Sequence, residues 1–259
     1  MALSVNKLRK VILRRVAKTS AVFDMFPESG RAIIGLSGGA DSLVLVDILY
    51  ELSRRWRKEI EFFPVMVDPG FFPLPQDKID AIQKFCSERG MEFNLLPAGF
   101  IAERVRSPQN PFPPCFTCSR LRRKTLLEFA NQNGAKFVVL GHHRDDLLET
   151  FFLNILFSRR ISAILPKQEL FGGMFYILRP MILVDEDYIK RYAQLRVFPV
   201  IEKNCPYAGD TEREWVKQLL ARMEREKPGI KKNILRALFH PKPEYLWGQY
   251  RDFMNKLLD

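Results

Sequence analysis

Apolar and polar positions follow two rhythms along this chain. Between residues 5 and 22, Leu8, Val11, Ile12 and Val16 recur at helical steps among lysines and arginines. That spacing predicts a basic amphipathic helix. Short apolar runs at 31–36, 61–68, 91–96 and 136–140 read as strands, and the stretches 41–56, 76–89 and 118–133 between them read as helices. Strands alternating with helices predict crossover connections, and so an α/β fold on a doubly wound parallel sheet. A helix from 145 to about 158, a loop, a strand over 174–179 and a helix opening at Asp185-Glu186-Asp187 follow. From residue 211 the pattern is helical, with breaks near Pro228-Gly229 and Pro241-Lys242-Pro243. The proline-rich segment Pro97–Pro114 reads as irregular, and a loop of that length in a compact domain tends to be functional. The pattern predicts a catalytic domain over 1–200 and a helical C-terminal extension over 201–259 that carries Cys205.

In such a sheet, ligands bind at the carboxyl ends of the strands. The loops Ser37–Ser42, Asp68–Phe72 and Gly141–Asp145 all fall on that edge. The first of them, Ser37-Gly38-Gly39-Ala40-Asp41-Ser42, sits between an apolar strand and an apolar helix. Two glycines let the backbone bend sharply and approach an anion, so a Cβ at Gly39 is expected to meet the phosphates or forbid the turn's φ. The helix that follows points N–H groups and a positive dipole end at the turn, an arrangement suited to phosphate or pyrophosphate. The Walker A pattern is absent. The hexapeptide resembles the SGGxDS loop of the PP-loop ATP pyrophosphatases, which cleave ATP between the α and β phosphates and adenylate a substrate. That likeness implies a PP-loop ATPase fold, of the adenine nucleotide α-hydrolase-like kind. It also implies ATP and Mg²⁺ as cofactors.

Charge adds a partner. Lysine and arginine number 41 against 30 acidic residues, a formal charge of +11. The excess favours a polyanion such as tRNA and would steer it to the surface. Lys10, Arg14 and Arg15 are among the basic side chains expected to meet RNA. The longest apolar runs are too short to span a bilayer. The residues from Met1 to Lys7 lack the apolar core of a signal peptide, so the cytoplasm is the expected compartment and no membrane is involved.

Four cysteines supply the remaining chemistry. Cys86 shares an apolar helix face with Ile79, Ile82 and Phe85, a core position. Cys115-Phe116-Thr117-Cys118 places two thiols at a loop-to-helix junction, where helix N–H groups and Arg120, Arg122 and Arg123 are expected to lower both thiol pKa values. Cys205 stands apart in Asn204-Cys205-Pro206-Tyr207. By spacing alone, the three thiols suit a structural zinc completed by a histidine, a catalytic dithiol, or a three-cysteine iron–sulfur cluster.

The stretch from Pro114 to Arg123 resembles the C-x-x-C-x-R-L-R-R segment of the tRNA 2-thiocytidine synthetases, and Gly141 to Thr150 is similar to their G-H-H-R-D-D-x-x-E-T segment. With the PP-loop, three motifs stand in that family's order over roughly residues 30–205. The resemblance implies a [4Fe-4S] cluster on Cys115, Cys118 and Cys205, with one iron left free to carry sulfur. It places Asp145 in the active site, beside Ser37, Gly38, Gly39, Asp41, Ser42, Gly141 and His142 around the nucleotide. The chemistry implied is adenylation of the C2 oxygen of a tRNA base, then its replacement by sulfur. The expected sulfur donor is sulfide or a persulfide made by a cysteine desulfurase, with the sequence choosing neither, and a homodimer is one assembly open to the chain, whose oligomeric state the sequence does not reveal.

Two departures stand out. Ala40 occupies the position where that family usually has lysine, and the surroundings of Cys205 look more like the 2-thiouridine synthetases of thermophiles and archaea. A lysidine-type ligase, which does not need the C-x-x-C, is the alternative within enzymes. A zinc-stabilised, non-catalytic RNA-binding protein is the alternative outside them. Asp146 is weighed as a helix cap and as a catalytic group alike. Phe71, Phe72 and Phe112 are assigned to packing ahead of base stacking.

Overall fold

The computed structural model describes residues 4–202, 205–207, 209 and 211–246. Of the Asn204–Tyr207 motif, Cys205 to Tyr207 are therefore described, and the helical expectation beyond 246 lies outside the described residues. The chain divides into two units, 1–211 and 212–259. The division falls eleven residues beyond the expected 200, and Cys205 belongs to the first unit.

The first unit opens with α1 (Val5–Val22), then β1 (Ser29–Leu36), α2 (Ala40–Ser53), β2 (Glu59–Asp68) and α3 (Gln76–Ser87). Next come β3 (Asn94–Pro97), α4 (Phe100–Arg106), α5 (Pro114–Gln132), β4 (Phe137–Leu140) and α6 (Arg144–Leu156). It closes with β5 (Lys167–Leu170), β6 (Phe175–Leu178) and α7 (Glu186–Leu195). The six strands lie in the order β3-β2-β1-β4-β6-β5. All pairs are parallel except β5 with β6. The sheet is doubly wound as expected, and strand order reverses beside β1, so the loops after β1 and β4 flank the switch point where such sheets bind ligands.

Period-two alternation in β1 feeds two cores. Ala32, Ile34 and Leu36 pack with α1, α2, α3 and α7, while Ile33 packs with α4 and α5 on the other face. Gly35 lets α5 close on the sheet: a Cβ there would stand 3.2 Å from Leu126 Cδ1. Leu8, Ile12, Leu13 and Val16 form the buried stripe of α1, and Val11 is only half-buried. On the α2 side, buried Asp47 accepts from Arg89 Nε at 3.0 Å and from the Tyr192 hydroxyl at 2.7 Å, tying α2 to α7 and to the end of α3. Burial and this carboxylate push the Tyr192 phenol up from its ordinary value.

Two expectations change. The Pro97–Pro114 segment contains α4, whose Ile101 and Val105 are core residues. The expected loop before β6 contains β5, whose Lys-Gln-Glu-Leu sequence carries no strand pattern and is paired only because β6 lies beside it. In the second unit, α8 (Glu212–Glu226) leads to α9 (Ile230–Leu238), and the Glu224 carboxylate accepts from Gly229 and Lys231 N–H at the start of α9. Among the described residues no helix is long and apolar enough to cross a membrane.

Candidate functional site

The loop after β1 is held by its own serines. Ser42 Oγ accepts from Ser37 N at 3.1 Å and donates to the Gly39 carbonyl at 2.9 Å. Gly38 has φ +75°, the left-handed region that favours glycine, and its carbonyl accepts from Ile201 N at 2.9 Å. Gly39 has φ −77° and ψ 161°, ordinary extended backbone. The conformational demand expected at Gly39 therefore falls on Gly38. The first turn of α2 begins directly after, and helix N-termini present N–H groups without intrahelical partners.

The loop after β4 closes the other side. Gly141 lies against α2: a Cβ would sit 3.2 Å from the Asp41 carbonyl and 3.3 Å from Ser42 N. His143 caps α6, its Nδ1 accepting from Asp146 N while Asp146 Oδ2 accepts from His143 N at 2.9 Å. With Nδ1 accepting, the neutral ring carries its proton on Nε2, which lies 3.7 Å from Asp41 Oδ1 and 3.4 Å from Asp146 Oδ2. His143 thus links the two carboxylates across the switch point. Asp145 is buried and its Oδ2 accepts from Glu186 N at 3.1 Å, at the start of α7. The carboxylate of this pair that lines the cavity beside the PP-loop belongs to Asp146.

That cavity measures about 300 Å³ and gathers Ser37, Asp41, Ser42, Gly141 and His142 of the expected nucleotide set, together with Arg122 and Arg123 from α5. Two guanidinium groups thus face the phosphate-binding turn that has Ala40 in place of lysine. Behind His142 stands Arg179, a residue the motifs do not point to. It is buried and donates from Nε to His142 Nδ1 at 3.3 Å, from Nη1 to the Leu165 carbonyl at 2.7 Å and from Nη2 to Gln168 Oε1 at 3.1 Å. Burial and the nearby Arg123 bring its pKa down to about 10, with Asp146 opposing them. Its one sequence signal is a charge directly after the apolar strand β6.

A second cavity, of about 480 Å³, adjoins the first and shares Ser37, Val67 and Arg122 with it. Cys118 and Cys205 both line it. Pro114 starts α5, a position where the missing N–H costs nothing, so Cys115 and Cys118 fall on one face of its first turn. The exposed Cys115 Sγ lies 4.0 Å from the Tyr207 carbonyl, two residues past Cys205. Cys118 is raised, against the expectation that the helix start would lower it. Burial is the main cause; Arg122 opposes it, and Cys205 and Cys115 add to it. Among the described residues no three His, Cys, Asp or Glu side chains are drawn together as for a single metal ion. Cys86 is apart from all this, buried in the core among Ile79, Ile82 and Phe85. Phe71 and Phe72 both line the thiol cavity, Phe71 packing edge-on against Tyr207 with centroids 5.9 Å apart. Phe112, assigned to packing, is 48% exposed.

Comparison with known proteins bears on this arrangement. Residues 9–223 match the PP-loop domain family. A tRNA-cytidine(32) 2-sulfurtransferase of Pseudomonas syringae pv. syringae (strain B728a) is 34% identical over 264 residues, covering 100% of this chain and 94% of that protein. The enzyme of the same name from Deinococcus radiodurans is 35% identical over 242 residues, covering 93% and 80%. The U34-tRNA thiolase NcsA from Methanococcus maripaludis, solved with its [4Fe-4S] cluster, shares the fold. Its TM-score is 0.73 at 24% identity, over 90% of this chain and 78% of that one. The chain belongs to the PP-loop domain family and, within it, to the tRNA-cytidine(32) 2-sulfurtransferases.

Proposed function

We propose that the chain is an ATP-dependent tRNA sulfurtransferase that converts the cytidine at position 32 into 2-thiocytidine, the position being that in its relatives' name. The base's C2 oxygen attacks the α-phosphorus of ATP and pyrophosphate leaves. A sulfur nucleophile then adds at C2, and the oxygen departs with AMP. Adenylation is needed because the C2 oxygen is otherwise a poor leaving group on a resonance-stabilised centre. The observation that carries this reading is the common wall: the PP-loop cavity and the thiol-bearing cavity share Ser37, Val67 and Arg122. A base seated at that wall is within reach of both chemistries.

Each residue has a task the geometry supports. Ser37, Ser42 and the start of α2 receive the phosphates. Arg122 and Arg123 balance the charge of the departing pyrophosphate, in the role left open by Ala40. His142, its Nδ1 accepting from Arg179, carries its proton on Nε2 and is a hydrogen-bond donor at the cavity wall. Asp41 and Asp146, bridged by His143, form a carboxylate pair suited to Mg²⁺, which is bound through one or two carboxylates plus substrate phosphates. Asp145 anchors α7 and through it the rear of the site.

The thiols fit a cluster. Cys115 and Cys118 occupy one helical face, Cys205 shares a cavity wall with Cys118, and the Cys205 and Cys115 thiols both act electrostatically on Cys118. A [4Fe-4S] cluster would be held by these three thiolates and would leave one iron without a protein ligand, the place from which sulfide would be supplied to the activated base; sulfur from a desulfurase persulfide would first take two electrons from a thiol reductant to reach the sulfide level. Arg122, on the wall common to both cavities, offsets the negative charge of three thiolates. Anaerobic purification followed by an iron and sulfide count tests the reading. About four of each per chain, lost in Cys115→Ala, Cys118→Ala and Cys205→Ala together with 2-thiocytidine formation, is the expected result. Zinc in their place, with tRNA bound but unmodified, would return the lead to an RNA-binding protein.

A further inference from the structure

A third cavity, of about 930 Å³, lies on the outer face of α5, between the turn before that helix and the β5–β6 hairpin. Four large apolar side chains line it and stay open to solvent: Phe112 at 48%, Phe116 at 49%, Phe171 at 69% and Met174 at 60%. Phe171 is held at φ +53°, in a left-handed conformation that disfavours a phenylalanine, and its ring is nonetheless presented outward. Arg104, Arg120 and Arg123 stand among these rings, and none is paired with a carboxylate among the described residues. The one acid in the lining, Glu128, is engaged by Lys124 at 3.5 Å. Arg123 also lines the PP-loop cavity, so the groove opens toward the nucleotide site.

Apolar rings interleaved with unpaired guanidinium groups suit single-stranded nucleic acid, in which bases stack on aromatic faces and phosphates meet cations. We propose that this groove receives the unpaired nucleotides beside the target base in the tRNA anticodon loop. Bases stack on Phe112, Phe116 and Phe171, phosphates meet Arg104 and Arg120, and the strand passes Arg123 toward the nucleotide cavity. The assignment rests on the thiolation reading above and adds to it the face by which the RNA is held.

Two double variants of exposed residues test it: Phe116→Ala/Phe171→Ala and Arg104→Ala/Arg120→Ala. The probes are a full tRNA transcript and an anticodon stem-loop RNA, with affinity measured across a salt series and ATP binding measured alongside. Each variant should bind both RNAs at least about tenfold more weakly while binding ATP as the parent does. The arginine variant should also flatten the dependence of log affinity on log salt by about 1.4, the single-strand value for two lost phosphate contacts. The phenylalanine variant should leave that slope unchanged. RNA affinity unchanged in both variants overturns the groove assignment and leaves the thiolation reading standing, whatever becomes of self-association or of a protein sulfur donor. If the unsubstituted protein binds neither RNA at low salt, the thiolation reading falls as well.

Discussion

Two glycines hold the site open for different reasons. Gly38 is required by φ +75° and by Ile201, whose side chain would stand 3.1 Å from a new Cβ. Gly141 is required by the backbone of Asp41 and Ser42 passing beside it. Gly38→Ala should cost about 1–2 kcal/mol from the left-handed conformation alone. Gly141→Ala should displace the start of α2, and ATP-dependent pyrophosphate release should fall in both variants while circular dichroism is unchanged; normal release would remove the phosphate-loop assignment. Cys86 tests the opposite kind of residue. Burial pushes its thiol up to about 12, so in the folded, cluster-free protein at pH 8 it should resist iodoacetamide while the exposed Cys115 and Cys205 are labelled. Peptide mass mapping reads this directly, and early labelling of Cys86 would contradict its place in the core. The strand–turn–helix context made the phosphate loop legible from sequence, and the apolar helix face made Cys86 legible. Which of Asp145 and Asp146 faces the cavity was not. Neighbours on a helix point about 100° apart, and the rotation of α6 is set by contacts with α7 and the PP-loop, which no local pattern encodes. Arg179 was hidden for the same reason, since its partners come from His142, Leu165 and Gln168.

Among the elements, those with an apolar run or stripe were readable, the four-residue β4 and β6 included, and two short ones without such a run were not. α1 runs over Val5–Val22 as its stripe predicts, and β1 and β2 cover their apolar runs. α4 and β5, of seven and four residues, are too short for a period to emerge. α4 is set by the core into which Ile101 and Val105 pack, and β5 by pairing with β6. What joins α2 and α7 is also tertiary. Asp47 is 3% exposed and is satisfied by Arg89 and the Tyr192 hydroxyl. Asp47→Ala would leave Arg89 buried without its carboxylate, a change that costs about 3–5 kcal/mol. Tyr192→Phe removes one hydrogen bond to a charged acceptor and should cost about 1.5–3 kcal/mol. Thermal unfolding should therefore rank Asp47→Ala below Tyr192→Phe and both below the parent. Equal midpoints for all three would show that this ion pair does not hold the helices together. Because α2 carries Asp41 and Ser42 in its first turn, the larger loss should also weaken ATP binding.

At the scale of the whole molecule, net charge predicts a polyanionic partner without saying where it binds. The +11 excess should make tRNA affinity fall steeply with salt through counterion release. The structure divides the basic residues that a count treats alike. In α1, Lys10 and Arg14 are exposed, but Arg9 is paired with Glu51 at 2.9 Å. Arg15 is paired with Asp185, which also receives Arg144, and its guanidinium lies 5.2 Å from the Tyr188 ring centroid. Arg15 is therefore a brace between α1 and α7, and the sequence expectation that it meets RNA with Lys10 and Arg14 is not what its contacts support. Arg15→Ala should lower the unfolding midpoint and leave the salt slope of tRNA binding as it is. Lys10→Ala/Arg14→Ala should leave the unfolding free energy within about 0.5 kcal/mol of the parent and change the slope only to the extent that α1 reaches phosphate. Thermal unfolding set beside a salt titration of tRNA affinity separates the two. A lower slope in Arg15→Ala at unchanged stability would return this arginine to the RNA-binding surface. The physical reason for the division is that an arginine already held by a carboxylate and an aromatic ring must break those contacts to reach a phosphate. A free arginine exchanges only water, so the pairing of each cation decides which part of the +11 charge the RNA meets.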